Sequence, residues 1–121
     1  MAAELLRVSA TAYAAYASNC LLERLPEVKT QFGEAAFSDW RDHFTQRINQ
    51  LSVAMAEREP ALFLSRVRWS RAAFKARGLP EDLLRESLLC LDEVLEQELP
   101  GAHRQAPKKY ISAALKSIFR Y

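Results

Sequence analysis

The sequence predicts an all-α fold, a compact bundle of about five helices, and three observations carry that prediction. Alanine, leucine, glutamate and arginine dominate, glycine occurs only three times, and no β-branched run suggests a strand. Apolar residues recur at spacings of three and four, the period of one helix face. Proline and glycine fall between those periodic stretches, where they end one helix or open the next. With 121 residues, half of them apolar and 26% charged, the chain is expected to form a single domain over 1–121 with its own core.

The first helix is expected over 3–25, stopped or kinked by Pro26, with a less regular turn up to Gly33. Its small residues (Ala10, Ala12, Ala14, Ala15, Ala17), interleaved with Tyr13 and Tyr16, suit close packing on a neighbour. The second helix, about 34–58, carries the clearest stripe: Phe37, Trp40, Phe44, Ile48, Leu51 and Met55. That nearly heptad seam could serve a bundle core or a helix of a partner subunit. Pro60 suits the first turn of a third helix running to Arg77, and Gly78 fits a left-handed cap with Leu79 folding back. Pro80 opens a fourth helix, whose Glu81 and Asp82 favour its positive end. Leucines from Leu83 to Leu99 cover about half of that helix, which makes it central. "PGAHRQAP" reads as a loop, and Pro107 starts a fifth helix with Tyr110, Ile111, Ala114, Leu115 and Ile118 inward. This last helix ends in mid-pattern after Phe119, either fraying at a natural terminus or continuing as a connector. The missing cap favours a connector, and with it the N-terminal part of a longer regulator.

Charge is segregated although the net value is only +2. Residues 60–78 carry Arg66, Arg68, Arg71, Lys75 and Arg77 and no acid, whereas residues 81–99 carry seven acids against Arg85. Residues 100–121 are basic again, so neighbouring elements can neutralise one another, which weakens a nucleic-acid reading. The turn "AAFKARGLPEDLLRESL" has the outline of a helix-turn-helix, but its second helix is strongly acidic and phosphates would repel it. No run is apolar enough to span a membrane, and Glu4 precedes the first arginine, against a signal peptide.

Chemistry-bearing constellations are few. Cys20 and Cys90 are isolated from each other and from His43 and His103, which fits two reduced core thiols in a cytoplasmic protein and no metal or cofactor. His43 borders the apolar stripe beside Arg47 and reads as structural, and His103 as a solvated loop residue. Neither has the context of a haem ligand, Ser70 has no nearby histidine, and no glycine-rich phosphate loop occurs. The chain is therefore not expected to be an enzyme.

The third helix poses the sharper question. Leu62, Phe63, Val67, Trp69, Ala73 and Phe74 define a broad apolar arc with Arg66 and Arg77 near its middle and Ser70 beside them. A guanidinium on a buried face must be paired. Glu98, within the leucine face of the next helix, would lie level with Arg66 in an antiparallel hairpin, and the two are expected to pair. The functional reading of the same residues is an anion received at Arg66, Ser70 and Arg77.

Residues 44–99, from "FTQRINQLSVAMAEREP" to "ARGLPEDLLRESLLCLDEVLEQELP", resemble the N-terminal helical input domains of bacterial regulators. These are of the kind that precede cobalamin-binding modules or RsbR/RsbU stressosome-type modules. The likeness lies in a helix ending in an arginine-glycine turn and followed by a leucine-rich helix. The resemblance implies a dimeric or partner-binding signal-input module without catalytic activity. The Asp-x-His-x-x-Gly motif that ligates cobalamin and the Trp…Glu-His signature of its helical cap are both absent, so no binding residue is carried over.

The combined expectation is a non-enzymatic regulatory or protein-interaction domain, dimerising or binding a protein partner, with no nucleic acid and no membrane. Candidate contacts are Trp40 and Phe44, if their stripe is incompletely covered, and the exposed row Arg68, Arg71 and Lys75. The alternative is a ligand-binding sensor with a pocket lined by Tyr13, Tyr16, Phe63, Trp69 and Phe74 and an anion held at Arg66, with Ser70 and Arg77 beside it.

Overall fold

Small side chains on α1 (Ala2–Arg24) bring it close along α3 (Ala36–Ala56), the most extensive helix pair in the molecule. The computed structural model describes residues 2–119, and among these every regular element is helical. Leu6, Ala10, Tyr13, Ala14, Ala17 and Leu21 form the buried face of α1. Two hydroxyls pin the pair at opposite ends and fix it as antiparallel. Ser18 Oγ donates to the Phe37 carbonyl at 2.9 Å, and Ser52 Oγ donates to the Ala3 carbonyl at 2.7 Å. The two crossings also satisfy polar groups that would otherwise be stranded in an apolar seam.

Between them the expected irregular turn is instead a short helix, α2 (Glu27–Phe32), followed by a 3-10 turn over Gly33–Ala35. Pro26 ends α1 but already holds helical angles, so it begins the next turn, and Gly33 at φ 69° closes it. Val28 drops into the core.

The next connection, Glu57–Glu59, turns the chain back into α4 (Pro60–Ala76), with Glu59 as the cap and Pro60 in the first turn as expected. At its far end the Leu79 amide bonds to the Phe74 carbonyl at 2.8 Å and the Gly78 amide to that of Lys75 at 3.1 Å. With Gly78 at φ 73°, this is the left-handed cap that the sequence predicts. α5 (Glu81–Glu98) buries Leu83, Leu84, Leu88, Leu91, Val94 and Leu95 between α1 and α6 (Gln105–Phe119). α6 begins two residues before Pro107, and the expected run to the end of the chain falls partly on Arg120 and Tyr121, outside the described residues.

Ion pairs consume most of the acidic helix. Arg24 reaches from α1 to Glu93 and, at 3.8 Å, to Glu86. Lys108 of α6 lies 3.5 Å from Asp92 and 3.7 Å from Glu96. Arg71 ties three elements: its Nε is 2.5 Å from Glu81, and its Nη1 donates to the Ile118 carbonyl at 3.0 Å. The two cysteines, far apart in sequence, meet where α1 packs on α5. Burial, and then the neighbouring Cys20 thiol, push the Cys90 thiol well above its ordinary range.

One expectation about α4 is corrected. Its inward face is Phe63, Val67, Ser70 and Phe74, at spacings of four, three and four. Leu62 and Trp69 had pulled the expected arc to one side, and both are exposed. With the arc rotated, Arg66 and Arg77 fall on the surface, and no ion pair joins Arg66 to Glu98, which is itself exposed. The leucine-rich α5 also contributes less to the packing of α4 than α3 and α6 do.

Candidate functional site

The antiparallel crossing of α3 and α4 places one polar row inside an aromatic seam. From α3 come Trp40, His43, Arg47 and Gln50, at spacings of three, four and three; from α4 come Ser70, Phe74 and Arg77. Opposed registers set Arg47 against Ser70 and His43 against Phe74, whose rings lie 5.9 Å apart. Trp40 stands edge-on to His43 at 4.8 Å and to Phe74 at 6.1 Å.

Arg47 is the unusual residue. It is only 3% exposed, yet no carboxylate pairs with it among the described residues. Its Nη2 donates to Ser70 Oγ at 2.7 Å and its Nη1 to Gln50 Oε1 at 2.8 Å, while its Nε is buried with no partner. A buried cation held only by neutral dipoles is costly, by several kcal/mol where nothing compensates it. Burial pulls its guanidinium down to about 10, so it remains charged at neutral pH. Burial, with help from the Arg47 charge, pushes the His43 imidazole down to about 3, so that ring is neutral. His43 Nε2 and Trp40 Nε1 are also buried without partners, giving three such polar atoms on one face of α3.

The residues that carry these atoms line open space. A pocket of about 270 Å³ is bounded by Arg47, Gln50, Ser70 and the Trp69 ring. A second, of about 280 Å³, runs past Trp40 and Asp39 towards Phe32 and Leu79. The two share His43, Phe74 and Arg77 and form one bent cleft. A wider hollow of about 590 Å³ lies on α6, lined by Lys108, Lys109 and Lys116 of that one helix, and so lacks an opposing wall.

Of the residues expected at a site, Ser70, Trp69 and Arg77 do come together here, and Arg66 and Tyr16 do not. Arg66 is on the outer side of α4, and Tyr16 is half exposed on α1. Tyr13 and Phe63 are in the core rather than in a pocket wall, whereas Phe74 serves both. Trp40 and Phe44, at 3% and 1% exposure, are covered within the chain and so cannot form a free interface. In the basic row, Arg71 is spent on Glu81 and the end of α6, leaving only Arg68 and Lys75 unengaged and exposed. Arg47, the buried cation, was not singled out in the sequence as a site residue, although 40, 44, 47, 51 and 54 follow spacings of four, three, four and three. An arginine in phase with tryptophan, phenylalanine and leucine was the available signal.

No family model matches this chain, and no curated protein or solved structure is significantly similar to it. No helix among the described residues is long and apolar enough to cross a membrane, and they contain no cluster of three metal-ligating side chains.

Proposed function

We propose that this chain is a non-enzymatic, regulatory type of binding domain that receives a negatively charged group in the α3–α4 cleft. The observation that carries the reading is Arg47, a buried cation without an acid, whose Nε has no partner and whose side chain is among those bounding the smaller pocket. An incoming anion supplies the missing countercharge, and Ser70 and Gln50 hold the guanidinium in place for it. Ser70 and His43 share the cleft, but no hydrogen bond joins them into a nucleophile and its base. The regulatory setting is taken from the resemblance of residues 44–99 to input domains, and the cytoplasmic one from the two free cysteines.

A protein partner has its own supporting observation. Leu62, Arg66 and Trp69 follow one another on the exposed face of α4, with Trp69 70% exposed, next to the mouth of the cleft. Tryptophan and arginine together are the commonest strong anchors in interfaces. A second copy of the chain or another protein could cover that strip. Sedimentation of the wild type against Trp69→Ala separates the cases, because a dimer through this face dissociates in the variant.

The anion reading is tested by thermal unfolding and calorimetry with chloride, sulfate, acetate and larger carboxylates, on the wild type and on Arg47→Met. Specific anions should raise the melting temperature of the wild type and leave Arg47→Met unmoved. Equal responses from both proteins would refute the site.

A further inference from the structure

We infer that the cleft takes a small aromatic monocarboxylate, its carboxylate on Arg47 and its ring against Trp69, His43 and Phe74. The inference rests on the reading of the cleft as an anion site and names the class of anion. Three features of the geometry select it.

The first is charge. Arg47 is the single buried cation of the cleft, each of its terminal nitrogens donates once, and its Nε–H has no partner. His43 is neutral because burial and the Arg47 charge oppose its protonation. The other cation, Arg77, is exposed at the shared edge of the two pockets. One desolvated positive charge balances one negative charge. A phosphate dianion would bring a second into a space that already contains Asp39.

The second is shape. Trp69, His43, Phe74 and Trp40 give planar walls, and the His43–Phe74 and Trp40–Phe74 pairs are tilted or edge-on, as aromatic clusters prefer. A volume of about 270 Å³ suits one ring with a short acidic arm and is small for a nucleotide or a larger cofactor. The third feature is at the far side. Trp40 and His43, whose Nε1 and Nε2 have no partner, both line the second pocket, so a small rotation of either ring would offer that atom to a hydroxyl or carbonyl on the distal edge of the ligand ring.

The experiment is calorimetric titration of the whole chain with phenylacetate, cyclohexylacetate, acetate, benzyl alcohol and inorganic phosphate, with the tryptophan indole N–H resonances followed in parallel. Phenylacetate should bind up to roughly tenfold tighter than cyclohexylacetate, the most that aromatic pairing adds, and by more than that over acetate, which has no ring to bury. It should shift both indole signals and lose its affinity in Arg47→Met, whose fold is checked by its melting curve. Trp69→Ala, a surface change, should weaken phenylacetate and spare acetate. If phosphate or cyclohexylacetate binds as well as phenylacetate, the aromatic monocarboxylate is wrong and the anion site stands. If benzyl alcohol binds equally, or no anion depends on Arg47, both fall.

Discussion

Arg47 sits where a leucine or methionine would satisfy the packing, and its two neutral partners do not offset its charge. Arg47→Met should therefore raise stability to urea, by about 1–3 kcal/mol, while abolishing anion binding. A loss of stability would mean that the guanidinium is structural. His43 contributes a pH dependence with a definite sign. Folding lowers its pKa from 6.5 to about 3, with burial the larger cause and Arg47 the smaller. As pH falls through 6.5, the unfolded chain takes up a proton that the native chain refuses. Stability is therefore full above pH 6.5 and declines below it by up to about 1.4 kcal/mol per pH unit. Urea titrations between pH 7 and 5, above the carboxylate range, should show that slope in the wild type and its absence in His43→Phe.

Elements end here by the same device with two different residues. After α3 the Glu59 amide bonds to the Ala54 carbonyl at 2.9 Å and the Arg58 amide to that of Met55, just as Leu79 and Gly78 do after α4. The left-handed position is filled by Gly78 in one case and by Arg58, at φ 55°, in the other. Arg58→Gly should stabilise the protein by about 1 kcal/mol, and Gly78→Ala should destabilise it by about as much, both read from denaturant midpoints. Opposite signs from the same pair would show that side-chain contacts outweigh the backbone. The glycine cap was legible in the sequence because Gly78 is followed by Leu79 and Pro80; the arginine cap was not, since nothing in its chemistry marks it. The phase of α4 was misread for a related reason. Leu62 and Trp69 are as apolar as Phe63 and Val67, and only the third dimension shows that two of them face out. With that phase went the position of Arg66, while Ser70 and Arg77 remained near the cleft by lying close to the boundary.

Across the whole molecule, the alternation of basic, acidic and basic segments resolves into internal ties. α1, α4 and α6 each place a cation on the acids of α5. Arg58, Arg66, Arg68, Lys75 and Arg77 form one group of cations on and around α4 with no ion pair among the described residues, and Arg104, Lys109 and Lys116 form another on and beside α6. All but Arg58 were visible as a basic segment; that they would be left without acids required knowing which acids the other helices use. The five long helices and most of the core were legible because their spacing is regular. The cleft was not, since it depends on the rotation of two helices about their own axes. Phe44 is wholly inside, so Phe44→Ala should cost about 3–5 kcal/mol and leave the oligomeric state of the folded fraction unchanged. A change in sedimentation without that loss would return this residue to an interface.

The two tryptophans occupy opposite environments, Trp40 walled in by aromatic rings and Trp69 open to solvent at the rim. The native protein therefore carries two built-in optical probes. Trp40 should emit at the blue edge of the indole band and report the integrity of the core. Trp69 should emit at the red edge, and a blue shift of that component on adding a ligand or partner would mark arrival at the rim.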